Sequence, residues 1–108
     1  MSDDEELIDE IPKLSNTERL IHQPARLRIM SYLYVLKEAD MVFIKNQTGL
    51  TWGNLSSHTS KLEDAELVKV EKKFQNKKPL TILKLTPKGL EAFKHYRNKI
   101  SQMLRDSI

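Results

Sequence analysis

Residues 48–68, Thr-Gly-Leu-Thr-Trp-Gly-Asn-Leu-Ser-Ser-His-Thr-Ser-Lys-Leu-Glu-Asp-Ala-Glu-Leu-Val, constrain this chain more than any other stretch. Thr48-Gly49-Leu50 reads as a tight turn in which Gly49 is free to take a left-handed backbone conformation. Thr51 follows as an N-cap, because its hydroxyl can accept an otherwise unpaired N–H of a first helical turn. The pattern predicts a helix from there to about Ala65. At roughly 100° per residue, Leu55, Thr59 and Leu62 share one stripe. Gly53, Ser57, Ser60 and Asp64 fall on the opposite side, with Asn54, Ser56 and Lys61 on the flanks.

That outer face consists of small hydroxyls, an amide and a glycine instead of the usual long Lys/Glu cover. Small polar groups leave a helix slim enough for a major groove and present donors and acceptors to base edges. The same composition also fits a helix that merely exposes short polar residues. The glycine-containing turn leading into it favours a helix-turn-helix.

The 108 residues suffice for one small domain with a modest core. Hydrophobic content of 39 % and charged content of 31 % fit a soluble globular protein. No apolar run approaches the ~18 residues of a membrane span, and no signal peptide opens the sequence. The absence of cysteine excludes disulfides, thiolate zinc sites and thiol redox sensing, and fits a cytoplasmic setting. Charge is unevenly placed. Residues 1–10 hold six acids (Asp3, Asp4, Glu5, Glu6, Asp9, Glu10) and no base, which leaves nine acids against 18 bases in the remainder. Residues 69–99 hold ten bases and only Glu71 and Glu91 as acids. Basic charge concentrated in this way is the footprint of a polyanion partner, although a solvated basic surface has the same composition.

In chain order, residues 1–12 read as an acidic tail, in which Leu7, Ile8, Ile11 and Leu14 are spaced for an amphipathic turn. Asn16 or Thr17 is placed to cap a short helix through Ile21. Pro24 suits the first position of a second helix. Its apolar residues Leu27, Ile29, Met30, Leu33, Tyr34, Val35 and Leu36 cover most of its circumference, so burial on most sides is expected. Met41-Val42-Phe43 has the composition of a very short strand, followed by a short helix over about 43–48. Residues 67–74 then read as a strand with Val68, Val70, Lys72 and Phe74 on one face. Gln75-Asn76-Lys77-Lys78 forms a polar tip ended by Pro79, and residues 80–85 return as a second strand. Thr86-Pro87 opens a last helix as cap and first residue. Along it Leu90, Phe93, Tyr96, Ile100, Met103 and Leu104 make a stripe long enough for a seam with a second subunit.

Three motifs in this order resemble the winged-helix transcription regulators of the ArsR/MarR superfamily, in particular small archaeal and bacterial members. Gln23-Pro24-Ala25-Arg26-Leu27-Arg28-Ile29-Met30-Ser31-Tyr32-Leu33 is similar to the stretch that opens the domain. Leu55-Ser56-Ser57-His58 through Lys61-Leu62-Glu63-Asp64-Ala65-Glu66-Leu67-Val68 is similar to the recognition helix and its exit. Leu83-Lys84-Leu85-Thr86-Pro87-Lys88-Gly89 is similar to the strand-to-helix junction after the wing. The resemblance spans residues 23–89 and implies a mainly α fold with a small β-hairpin, a winged helix-turn-helix with a long C-terminal helix. It divides the chain into a tail (1–12), a winged-helix domain (13–89) and a C-terminal dimerisation helix (86–108). Two positions depart from the family: Thr59 replaces a leucine and Glu66 a glycine. Each change costs about 1 kcal/mol, the first in packing and the second in a left-handed C-cap.

The resemblance implies a homodimeric, sequence-specific regulator of double-stranded DNA. A recognition helix over about 51–65 places Asn54, Ser56, Ser57, Ser60 and Lys61 near bases and phosphates. A basic wing over about 68–85 carries Lys72, Lys73, Asn76, Lys77 and Lys78 to the flanking backbone. Leu90, Phe93, Tyr96, Ile100, Met103 and Leu104 form the dimer seam. The competing reading is a winged-helix protein–protein module whose lysines only solubilise it; four lysines gathered at a hairpin tip weigh against it. A small-molecule effector is left open, and no cofactor or metal is implied: His22, His58 and His95 lack ligand spacing. No nucleophile motif or phosphate loop points to an enzyme, and Glu63 and Asp64 lie on one helical turn without a cleft. Trp52 is expected to cover the edge of the core, with a DNA-backbone contact as the alternative. His58 is read mainly as structural, with a place near a phosphate as the alternative. Arg26 and Arg28 are expected to support the fold by pairing with acids, with a phosphate contact as the alternative.

Overall fold

The computed structural model describes residues 13–106. Five helices and three strands lie in this span: α1 (Asn16–Ile21), α2 (Pro24–Leu36), β1 (Glu38–Asp40), α3 (Met41–Thr48), α4 (Trp52–Asp64), β2 (Val68–Gln75), β3 (Lys78–Leu85) and α5 (Pro87–Asp106). The sheet is antiparallel in the order β1-β3-β2. It is the winged helix-turn-helix that the sequence motifs implied. The acidic tail and its amphipathic turn fall outside the described residues, apart from Leu14, which packs against the core.

Each helix starts where a side chain can satisfy its free N–H groups. Ser15 caps α1 in a reciprocal box with Glu18, so the cap is one residue earlier than Asn16 or Thr17. Gln23 caps α2, with Pro24 at the first position. Asp40 caps α3 by accepting the Val42 N–H at 2.7 Å. That cap corrects the placement of the short strand. Met41, Val42 and Phe43 are already helical, and the strand is Glu38–Asp40, paired with Lys84, Leu83 and Ile82. Pairing with β3, not the composition of the segment itself, decides where so short a strand forms.

The helix-turn-helix follows. Gly49 ends α3 in the left-handed conformation (φ 71°), and the Asn54 N–H donates to Thr51 Oγ1 at 3.1 Å to open α4. Leu55, Thr59 and Leu62 are buried as their spacing required, and the Thr59 hydroxyl is satisfied by donating to the Ser56 carbonyl (3.2 Å). At the far end Glu66 stands at φ 63°, the left-handed position that favours glycine. Its N–H donates to the Glu63 carbonyl and that of Leu67 to the Leu62 carbonyl, which closes a Schellman motif over the buried pair Leu62 and Leu67.

One core gathers residues from almost every element: Ile21, Ile29, Met30, Leu33, Ile44, Leu55, Leu62, Leu67, Val68, Leu83, Phe93 and Tyr96. Helix α2 contributes three of these, but it is not buried all round. Val35 is 76 % exposed and Leu36 is also exposed, so its apolar circumference is wider than the core uses. The hairpin is longer than its sequence suggested. Lys78 and Pro79 belong to β3, and only Asn76 and Lys77 remain as the turn. Both have positive φ (53° and 64°), which makes a two-residue turn of the kind that follows strand twist. Helix α5 begins at the Thr86 cap, whose Oγ1 accepts the Gly89 N–H at 2.9 Å. Gly89 is buried against α4's exit: a Cβ there would stand 2.0 Å from the Leu67 carbonyl oxygen.

Candidate nucleic-acid interface

The two parts of the expected interface hang from the same scaffold. The buried stripe of α4 faces the core, so Gly53, Asn54, Ser56, Ser57, Ser60 and Lys61 are all exposed along its outer side. The Glu63 carboxylate reaches from the last turn of α4 to accept the Val70 N–H of β2 at 2.9 Å. Helix and hairpin are thereby tied at the wing's root, and Glu63 is a structural tether with no catalytic geometry.

The arginines hold the helix-turn-helix together, though through different partners from those expected. Arg28 donates to the carbonyls of Thr48 (3.2 Å) and Gln47 (2.7 Å), the last exposed carbonyls of α3. Arg26 donates to the Leu20 carbonyl and to His58 Nδ1 (3.1 Å). Among the described residues no acid pairs with either arginine, because helix-end carbonyls and an imidazole lone pair are the acceptors that α2 meets. His58 is structural in this role. Burial, reinforced by the positive charges of Arg26 and Lys61, holds its pKa below the usual histidine value. A neutral ring with its lone pair on Nδ1 is the form that can accept from Arg26.

Trp52 does not pack on the core. The residue is 52 % exposed at the first turn of α4, with the Lys45 ammonium 5.4 Å from the centre of its ring. Leu55 already closes the core edge, and Trp52, three residues earlier, is turned roughly 60° away from it around the helix axis.

Strand alternation divides the wing cations. Lys72 shares a face with Val68 and Val70, whereas Lys73 and Lys78 lie on the other face. On that other face Glu71 is bridged by Lys84 (3.1 Å), Lys69 (3.6 Å) and Lys73 (3.6 Å). The Lys84 hydrogen bond chiefly holds the Glu71 carboxylate below its usual range, and the same bond raises the Lys84 ammonium above its own. Lys73 is thus shared with a carboxylate. Among the described residues no acid comes within 4 Å of the ammonium of Lys61, Lys72, Lys77 or Lys78, and Asn76 is exposed beside them.

A family model described as a winged helix DNA-binding domain matches residues 25–104. The chain belongs to that family. An uncharacterised protein of Methanocaldococcus jannaschii is 33 % identical over 88 residues, covering 82 % of this chain and 96 % of its relative. A transcriptional regulator homologue from Pyrococcus horikoshii OT3 is 31 % identical with a TM-score of 0.77, over 81 % of this chain and 86 % of that one. Two further structures share the fold. NadR in complex with 4-hydroxyphenylacetate has 19 % identity and a TM-score of 0.65, over 88 % of this chain and 82 % of that one. Overoxidised AbfR bound to DNA has 20 % identity and a TM-score of 0.67, over 80 % and 65 %. The resemblance to winged-helix transcription regulators holds, and the winged-helix family is a DNA-binding fold, not an enzyme class. No described helix is long and apolar enough to cross a membrane.

The residues expected at a dimer seam separate into two groups. Phe93 and Tyr96 are buried in the protomer's own core, Phe93 against Tyr34 and Tyr96 with its hydroxyl 2.7 Å from His22 Nδ1. Leu90, Ile100 and Met103 are half-buried, and Leu104 is 65 % exposed. The sequence stripe was longer than the helix needs because its first half packs within the chain. An interaction that sequence reading missed lies nearby: buried Glu18 accepts from Lys99 at 2.6 Å, joining α1 to α5 across 81 positions. No local pattern announces a pair so distant in sequence.

Proposed function

We propose that the chain is a DNA-binding transcriptional regulator that acts as a homodimer, with α4 in the major groove and the β2–β3 wing on the flanking backbone. The observation that carries the reading is the pairing of two surfaces on one rigid frame. One is a helix face of short polar side chains, and the other is a hairpin end whose Lys72, Lys77 and Lys78 have no acid within 4 Å among the described residues. In this reading Asn54, Ser56, Ser57, Ser60 and Lys61 meet bases and nearby phosphates, while Lys72, Lys77, Lys78 and Asn76 hold the backbone. Lys73 joins them only by leaving Glu71. The dimer seam draws on Ile100, Met103 and Leu104, together with Val35 beside the apolar groove of about 480 Å³ between α2 and α5.

The test is binding to selected and to random duplexes over a salt series. Lys77→Ala with Lys78→Ala is expected to weaken both alike and to reduce the log–log salt slope by about one unit for each phosphate no longer neutralised. Asn54→Ala or Ser57→Ala is expected to cost the selected duplex ~1–3 kcal/mol and leave random DNA nearly unchanged. If neither variant alters DNA binding, the protein-binding module becomes the better reading. Ile100→Glu, followed by sedimentation, tests the seam; a dimer of unchanged mass refutes it.

A further inference from the structure

The apolar face of the wing continues past the protein body. On β2 it carries Val68, Val70, Lys72 and Phe74, and opposite them on β3 stand Leu85, Leu83, Thr81 and Pro79. At the root this face is core, with Val68 and Leu83 buried. At the tip the same face carries Phe74, 81 % exposed, opposite an exposed Pro79. Most of what burying such a ring would contribute is left unused by the monomer's fold. Pro79 stiffens the support. Next to a two-residue turn, its pair with Phe74 is the non-hydrogen-bonded kind, so its missing N–H points away from β2, to the side where β1 does not reach.

The surroundings say what the ring faces. Lys72 precedes it on the same face, Lys77 sits in the turn and Lys78 stands at the tip on the opposite face, with no acid within 4 Å of any of the three among the described residues. One ring and one proline offer too little apolar area to hold a membrane. An apolar wedge flanked by cations on a narrow tip is, however, the chemistry of proteins that insert between base steps from the minor groove.

We propose that Phe74, backed by Pro79, is a minor-groove wedge that presses into a base step flanking the DNA segment held by α4. This rests on the reading that the wing lies on DNA. The lysines bring the tip to the groove, and the ring pries at the step. Flexible pyrimidine–purine steps yield most cheaply, so the wedge gives preference at positions where no side chain reads a base edge.

The test uses the full chain and a duplex of alternating A·T sequence carrying one 2-aminopurine, whose emission rises when it is unstacked. Binding of the wild-type protein is expected to raise that emission. Phe74→Ala is expected to bind on the order of tenfold more weakly, with no rise and with an unchanged salt slope, because no charge is removed. Phe74→Leu, which keeps an apolar wedge, should retain most of the rise. Replacing the A·T pairs around the probe by G·C should abolish it, and I·C pairs, which lack the minor-groove amino group, should restore it. Wild-type binding with no change in emission overturns the wedge and leaves the DNA-binding reading intact. A flattened salt slope in Phe74→Ala also overturns it, since the ring would then only hold the lysines in place. Failure of the wild-type chain to bind any duplex overturns both.

Discussion

At its root the β2–β3 hairpin is held on several sides, whereas at its tip it is held only by its own ladder. Around the root, Val70 is bonded to Glu63 of α4, Leu85 donates to the Lys37 carbonyl, and Thr86 bonds both Leu67 and Glu66. Leu67, Val68 and Leu83 are buried there, and Gly89 closes against the Leu67 carbonyl. At the tip, residues 72–79 are exposed, two consecutive non-glycine residues hold positive φ, and an aromatic ring stands in solvent. The root spends its residues on position and the tip on contact. Positive-φ residues occur in both parts, but at the root Lys37 and Glu66 stand singly and are tied by hydrogen bonds to Leu85 and Thr86, whereas at the tip Asn76 and Lys77 stand together in an exposed turn.

The root is most easily broken at Gly89. Gly89→Ala puts a Cβ into the Leu67 backbone and forces α5 away from α4, with an expected loss of about 3 kcal/mol or more in denaturant unfolding. A variant of wild-type stability would show that the root is looser than its geometry. The opposite sign is expected at Lys77→Gly. Glycine relieves the left-handed position and should raise unfolding stability by up to ~1 kcal/mol, while removing a cation should weaken DNA binding. Stability and affinity moving in the same direction would contradict the division between root and tip.

Acid sharpens the contrast further, because the titrating groups that matter lie in the body. Burial raises the Glu18 pKa, but the bonds from Lys99 and Ser15 outweigh it and leave the carboxyl below its usual value. Its contribution is present above the unfolded pKa and is lost as pH falls through the folded one. His58 acts in the same direction from higher pH. Below about 6.5 the unfolded chain takes up a proton that the folded ring resists, so stability declines until the folded pKa is passed. Unfolding titrations of His58→Gln should lack the near-neutral part of the decline, and Glu18→Gln the acid part. Glu71 on the wing is also held low, but it is half-buried beside lysines that reach into solvent and are screened there, so Glu71→Gln should scarcely change the curve. The smallest effect is expected for Phe74→Ala, whose unfolding free energy should stay within ~0.5 kcal/mol of wild type. A larger loss would mean that the tip is part of the fold.

The central half of the chain was legible in its residues. Gly49, Thr51 and the Leu55–Thr59–Leu62 stripe fixed the helix-turn-helix through local rules of turn, cap and period, and Thr86-Pro87 did the same for α5. Glu66 was recognised as a strained C-cap, and the structure has it at φ 63°. Features that depend on remote partners were not legible. The three-residue strand formed at residues 38–40 because β3 lay beside it. Val35 remained exposed because the core was filled by Ile29, Met30 and Leu33. Arg26 and Arg28 found helix-end carbonyls and an imidazole, acceptors that a search for acidic partners does not count. For the candidate site, the exposed face of α4 followed from its period. Which lysines share a carboxylate followed only from the register of the hairpin.

Trp52 is the chain's only tryptophan, and about half of the residue's surface is open to water. Its near-ultraviolet emission in the free protein should therefore already be that of a hydrated indole, with little further red shift when the fold is lost. Heat or urea will leave this chromophore nearly silent, and unfolding has to be followed by circular dichroism. The same ring stands at the first turn of α4, the helix proposed to enter the major groove, beside the Lys45 ammonium. Quenching or a blue shift there should report docking without any attached dye.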